Sequence, residues 1–137
     1  MDKSLNYLAL ARKAGKAELG EEPAGAAARA LRAHVILVAS DASDHTWRRA
    51  KSFAAGTDQQ CVRVPFTKDE MGLAVGRSSL ALAAITDAAL ALALVQSLPQ
   101  SEKHTTVTEV LESKVQRLKQ RQSEAKAHRR NVRKGKK

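Results

Sequence analysis

The chain has 137 residues, 43% of them apolar but only 3% aromatic, which fits one domain with an aliphatic, alanine-rich core. Its formal net charge of +10 favours a polyanionic partner, and the shortage of aromatic residues disfavours modules that stack bases on exposed rings. The single cysteine, Cys61, excludes an intramolecular disulfide and a cysteine-rich zinc site, and no apolar segment of the signal-peptide type opens the chain, so we expect a cytoplasmic protein.

The first predicted element is a helix near the start of the chain. Leu5, Leu8 and Ala11 follow one another at helical spacing. Ser4 is the predicted N-cap, because its hydroxyl can accept a hydrogen bond from a free backbone N–H, and Gly15 is the predicted stop signal. Together these signals predict an amphipathic helix.

A second helix and a buried strand follow. Gly20 opens the helix, and Glu21 and Glu22 lie at its positive end, where they complement the helix dipole. Val35–Ala39 is an unbroken apolar run of strand length. Such a run is typical of a strand that is covered on both faces.

The remaining elements up to residue 98 continue the alternation of helices and strands. They are a third helix from Ser43 or Asp44 to Gly56, a strand over Cys61–Phe66, a short helix after the capping box Thr67–Glu70, a strand over Leu80–Thr86, and a last helix over Ala88–Leu98 that Asp87 caps. The alternation predicts an α/β protein, a three-layer α/β/α sandwich on a mixed sheet of about four strands.

Pro99 marks a boundary in charge as well as in structure, because proline cannot continue a helix. Residues 1–100 carry a net charge of +2, whereas residues 101–137 carry +8. Thr106–Glu109 is a capping-box pattern, so the extension is predicted to be partly helical. Its apolar residues fall on one helical face, which either folds back on the domain or orders on a partner: Val107, Val110, Leu111, Val115 and Leu118.

No catalytic motif stands out in the chain. One polar cluster looks at first like part of a hydrolase site, but adjacency in sequence supplies neither convergence nor an oxyanion hole, so helix caps and turns are the better interpretation for Ser40, Asp41, Ser43, Asp44 and His45. The histidines lack metal-ligand spacing and no phosphate-binding glycine loop is present. The most apolar run, residues 80–98, is broken by polar residues. We therefore expect no enzyme activity, cofactor, metal, small-molecule substrate or membrane partner.

Five short motifs occur in a fixed order: Ala11–Lys16, Gly20–Glu22, Val38–Asp41, Leu73–Gly76 and Ala83–Asp87. In this order the chain resembles the L7Ae/L30e family of small RNA-binding proteins, particularly its short bacterial members linked to ribosomes. The resemblance covers residues 4–98. It implies an L30e-like sandwich over residues 1–100 and RNA, expected to be ribosomal, as the partner. The charge of residues 101–137 marks them as a basic extension. The sequence does not fix the oligomeric state, and we expect a monomer.

The resemblance also implies where RNA is bound, because family members use three loops along one edge. Carried over, these loops are Lys16–Glu22, Ser40–Ser43 and Arg77–Ala81. The candidate RNA-binding residues of the domain are Lys13, Lys16, Gly20, Glu21, Glu22, Arg29, Ser40, Asp41, Ser43, Arg77, Ser78, Ser79 and Leu80. Those of the extension are Arg129, Arg130, Arg133 and Lys134, which belong to a basic run of the kind that binds phosphates regardless of sequence.

The family's usual RNA target is a kink-turn, a bent element with sheared G·A pairs, and its readers show Gly-x-Asn-Glu-x-x-Lys at the start of the second helix. In this chain Gly20 is kept, but Glu22, Pro23 and Ala26 stand at the Asn, Glu and Lys positions. A carboxylate can accept hydrogen bonds from base amino groups but repels phosphate. The usual mode of kink-turn recognition is therefore not expected.

Two other functions remain compatible with these residues. In one, the loop at Gly20–Glu22 contacts a protein instead of RNA. In the other, the chain is an accessory RNA-recognition domain that acts with a separate enzyme, since the resemblance extends to domains that precede some RNA methyltransferases.

Overall fold

The computed structural model of the protein describes residues 2–99 and 101–135, with side chains as far as Ala127. A short 3-10 turn, Ser101–His104, precedes the last helix. In chain order the other elements are α1 (Lys3–Lys13), β1 (Ala17–Leu19), α2 (Glu21–Arg29), β2 (Val35–Val38), α3 (Asp44–Ala54), β3 (Gln60–Arg63), α4 (Lys68–Ala74), β4 (Leu82–Ile85), α5 (Ala88–Gln96) and α6 (Thr105–Gly135).

The four strands form one mixed sheet in the order β1-β4-β2-β3. Strands β2 and β3 are parallel, whereas β4 runs antiparallel to both of its neighbours. Side chains alternate between two cores: Val35 and Leu37 face α1, α4, α5 and α6, and Ile36 and Val38 face α2 and α3. The predicted three-layer α/β/α sandwich is confirmed.

The sequence analysis gave ranges for three strands and missed β1. It was wrong to treat Lys16–Leu19 as part of a loop. Strand β1 has three residues, and its ladder with β4 pairs Ala17 with Ile85 and Leu19 with Ala83. A strand so short carries no readable alternation of apolar and polar residues. Its position depends on pairing with β4.

The helix caps follow the sequence in α3, α4 and α5 but not in α1 or α6. The capping box of Thr67 and Glu70 is present, and the Asp87 carboxylate accepts a hydrogen bond from the backbone N–H of Leu90 at 2.9 Å. The prediction for α1 was wrong, because Asp2 is its N-cap and accepts from the Ser4 backbone N–H at 2.8 Å. Ser4 lies in the first turn, where its side chain is buried.

Helix α6 begins at Thr105, one residue before the predicted cap, and its first half folds back on the domain. Leu111 is fully buried in the core that α1 and α5 share, and Val107 packs against that core. Lys114 is also buried and pairs with Asp58 at 3.5 Å. From residue 116 to residue 127 every side chain is exposed. None of the helices in residues 2–99 and 101–135 has the length and apolar character needed to span a bilayer.

Candidate RNA interface

The sheet has two ends that differ in the segments they carry. We call the end where β1 and β2 finish and β4 starts the upper end; there Val38 pairs with Leu82. The opposite end is the lower end, where Val35 pairs with Ile85. Paired stretches of about four residues separate the two ends by about 13 Å.

Three segments converge at the upper end through backbone hydrogen bonds. The Gly20 N–H donates to the Leu82 carbonyl at 2.8 Å, and the Ala39 N–H donates to the Ala81 carbonyl at 2.9 Å. A fourth segment, between β3 and α4, joins them, because the Ser40 N–H donates to the Phe66 carbonyl at 2.8 Å. The structure thus brings together the start of α2, the end of β2 and the loop before β4.

Arg77 is positioned next to Gly20. Gly20 has a φ of +98°, a conformation that L side chains rarely adopt, and a Cβ at this residue would lie 4.0 Å from Nη1 of Arg77. Arg77, Ser78 and Ser79 are all exposed. One guanidinium and two hydroxyls therefore project from this loop, beside the start of α2, and all three groups can donate to phosphate oxygens.

Gly72 in α4 supports the same loop. The Arg77 N–H donates to the Gly72 carbonyl at 2.8 Å. A Cβ at Gly72 would lie only 2.7 Å from the backbone nitrogen and 2.8 Å from the Cα of Ser79. Backbone atoms cannot turn aside as a side chain can, so the loop fits against α4 only with glycine at this position.

Gly72→Ala should therefore displace the Arg77–Ser79 loop and lower the free energy of unfolding by about 1–3 kcal/mol, the usual cost of overpacking. Chemical denaturation measures this change. Gly56→Ala is the comparison variant, because Gly56, unlike the buried Gly72, is exposed and nothing is within 4 Å of its Cβ position. Its φ of +75° makes it a test of backbone strain alone. An unchanged free energy of unfolding in Gly72→Ala would contradict a steric role for Gly72.

The charges at the upper end are mixed. Glu21 forms an ion pair with Arg49, which also lies over the Phe53 ring. Glu22 is exposed. Paired with Arg49, Glu21 joins α2 to α3, so its charge is partly neutralised. Within the part of the chain that the structure describes, Glu22 has no ion-pair partner, and it is the free carboxylate at the start of α2.

Asp41 and Ser43 act as helix caps, as the sequence predicted. The Asp41 carboxylate accepts a hydrogen bond from the Lys68 backbone N–H at 2.8 Å, at the start of α4. The Ser43 hydroxyl accepts from the Thr46 N–H at 3.1 Å, at the start of α3. These contacts fix the loop after β2 and give Asp41 and Ser43 structural roles.

Four candidate residues do not belong to the exposed upper end. Lys16 lies at the lower end, because its carbonyl accepts from the Thr86 N–H, at 2.8 Å, beyond the end of β4. Lys13 ends α1 beside it, and Arg29 ends α2, which runs down from Gly20. Leu80 is only 3% exposed and belongs to the core. The prediction that Lys16–Glu22 forms one loop was wrong. Strand β1 occupies the middle of this segment and places Lys16 and Gly20 at opposite ends of the sheet.

The extension contributes cations that the candidate residues did not include. Lys114, Arg117 and Arg121 line a cleft of about 220 Å³ at the lower end, with Leu31, His34, Asp58 and Leu118. Their spacing of three and four residues on α6 was the available signal. The side chains of Arg129, Arg130, Arg133 and Lys134 lie outside the described residues, although α6 continues to Gly135.

The surroundings of Cys61 oppose ionisation of its thiol. Burial raises the pKa of Cys61 to about 11, although Lys51 and Arg63 oppose the shift, so its thiol is protonated at neutral pH. Arg63 and Lys51 instead lie over the Trp47 ring, at 4.9 and 5.5 Å from its centroid. Among the side chains that the structure describes, which end at Ala127, no three from His, Cys, Asp or Glu group as metal ligands.

Comparison with solved structures shows the fold. A protein of unknown function from Bacillus halodurans superposes with a TM-score of 0.62 at 21% identity, covering 80% of this chain and 99% of its own. A 15.5 kD RNA-binding protein from Giardia lamblia superposes with a TM-score of 0.61 at 17% identity, covering 75% and 85%. Neither the protein-family models nor the curated protein sequences give a match. The chain therefore shares its fold with a protein described as RNA-binding.

Proposed function

We propose that this protein is a non-catalytic binder of structured RNA of the L7Ae/L30e type, and that its RNA is ribosomal. The observation that carries the proposal is the convergence of three loops at the upper end, where the Gly72 carbonyl holds the Arg77 backbone and Gly20 lies beside the Arg77 guanidinium. The fold shared with the Giardia lamblia RNA-binding protein supports it. So does the motif order that resembles the same family.

Contacts at the upper end divide into two kinds. The guanidinium of Arg77 and the hydroxyls of Ser78 and Ser79 suit phosphate oxygens, which position an RNA without reading its sequence. The free carboxylate of Glu22 repels phosphate but accepts hydrogen bonds from the amino groups of guanine, cytosine or adenine. An RNA with unpaired bases next to the bound phosphates satisfies both groups, whereas a regular duplex hides its base edges.

The extension adds affinity that does not depend on sequence. Its net charge of +8 attracts the phosphate backbone, and counterion release makes such binding sensitive to salt. Within the proposal, the extension supplies attraction and the upper end supplies orientation.

Arg77→Glu should weaken binding of a short RNA stem-loop by at least about tenfold, because hydrogen bonds to charged groups contribute about 1.5–3 kcal/mol. Fluorescence anisotropy at moderate salt measures the dissociation constant. Arg12→Glu is the matched control, since it makes the same charge change at an exposed residue at the end of α1, away from the three loops. Equal weakening by the two variants would show diffuse attraction instead of a site.

A further inference from the structure

The lower end of the sheet carries a second cationic surface. It is the cleft between α6 and the starts of β2 and β3, lined by Leu31, His34, Asp58, Lys114, Arg117, Leu118 and Arg121. We call it the α6 cleft. Three of its residues are cations and one is an anion, so its net charge is positive.

The cations of the α6 cleft are only partly compensated. Lys114 keeps 9% of its side chain exposed, and its partner Asp58 is 65% exposed at a distance of 3.5 Å. A buried ammonium is normally stabilised by several close hydrogen-bond or ion-pair partners. The solvent-exposed carboxylate of Asp58, at 3.5 Å, is one distant partner. Arg117 and Arg121 are exposed, and they follow Lys114 on the same face of α6. The cleft therefore favours a further anionic group.

The remaining lining residues favour a planar group beside that anion. His34 is half-buried, and burial, together with Lys114, lowers its pKa despite Asp87 and Asp58, so the imidazole is neutral near neutral pH. Leu31 and Leu118 are 68% and 43% exposed. A neutral ring and two aliphatic side chains next to three cations match the base and the phosphate of a nucleotide.

The α6 cleft lies at the opposite end of the sheet from the three loops. Helix α6 starts on the α5 side of the domain, passes the cleft and continues to Gly135. Residues 119–137 contain nine lysines and arginines and one glutamate, so the charge of the extension continues from the cleft and not from the upper end.

We propose that the α6 cleft is a second RNA-binding site, which holds the phosphate and base of an RNA segment separate from the one at the upper end. A single copy of the protein then joins two RNA segments. This inference rests on the proposed function, because it takes the upper end as the first site.

The test uses two samples of the same RNA stem-loop, one labelled with a fluorescent donor and one with an acceptor. Full-length protein below the total RNA concentration should produce energy transfer, and sedimentation should show one protein with two RNAs. Arg117→Glu with Arg121→Glu should abolish the transfer, while anisotropy still detects one bound RNA. Arg77→Glu should abolish it as well.

Lys119→Glu with Lys126→Glu is the matched control, because both lysines are exposed on another face of α6 and the charge change is the same. This pair should retain the transfer. Wild-type binding without transfer, complexes of two proteins with two RNAs, or equal loss in both double variants would each overturn the second site and leave the proposed function standing. Absence of any RNA binding by anisotropy would instead refute the proposed function. Circular dichroism of each variant confirms that it is folded.

Discussion

Leu111→Ala should lower the free energy of unfolding by about 2–5 kcal/mol, the usual cost of truncating a fully buried leucine. Leu111 belongs to the extension by charge and sequence, yet it is completely buried in the core that α1 and α5 form. The substitution removes apolar contacts and leaves a cavity, since α5 and α6 are continuous helices that cannot close it easily. Urea denaturation followed by circular dichroism measures the change.

Leu118→Ala is the control for Leu111→Ala. Leu118 lies two turns further along the same helix, is 43% exposed, and should change the stability by about 0.5 kcal/mol or less. If the two substitutions cost the same, the first half of α6 is not part of the core. The expected result places the end of the folded domain within α6, so the boundary predicted at Pro99 divides the chain by charge and not by packing.

The charge-neutral pair Glu22→Asn with Pro23→Glu should raise affinity for a kink-turn RNA, for which the wild type is expected to bind at least about 100-fold more weakly than a true reader. Each missing base contact costs about 1–3 kcal/mol, and at least two are missing. Glu22 cannot donate a hydrogen bond as an asparagine amide does, and Pro23 has neither a backbone N–H nor a carboxylate. Both residues are exposed in the first turn of α2, so the pair does not disturb the core.

Because the pair leaves the net charge unchanged, a gain in affinity reports specific contacts and not a stronger general attraction. Adding Ala26→Lys, one turn further along α2, should raise affinity again. The measurement is anisotropy with a kink-turn RNA and with the same RNA whose sheared G·A pairs are replaced. Tight wild-type binding that disappears on this replacement would contradict the prediction and would mean that another part of the upper end reads the motif.

The sequence predicted the elements whose pattern is local and strong. Val35–Ala39 is readable as a buried strand because every residue is apolar, and the caps at Thr67 and Asp87 are readable because the capping side chains lie within four residues of the groups they bind. β1 could not be predicted in the same way. Its three residues include the half-exposed Glu18, and only the ladder with β4 makes them a strand.

The positions of the candidate segments in the fold were predicted only in part, because some depend on pairing between distant residues. The resemblance correctly grouped the start of α2, the end of β2 and the loop before β4, because these lie at one end of the sheet. It misplaced Lys16, since neighbours in sequence end up at opposite ends when a strand runs between them. The α6 cleft was missed altogether, because His34, Asp58 and Lys114 are distant in sequence and meet only through packing.

The continuity of α6 ties the geometry of the core to that of the cleft. Burial of Leu111 sets which face of the helix meets the domain, and Arg117 and Arg121 line the cleft because they lie close to one and two turns beyond Lys114. One residue inserted after Val115 would turn both arginines by about 100° while leaving the buried leucine in place. The packing of the first half of α6 therefore determines the direction in which the basic side chains of its second half point.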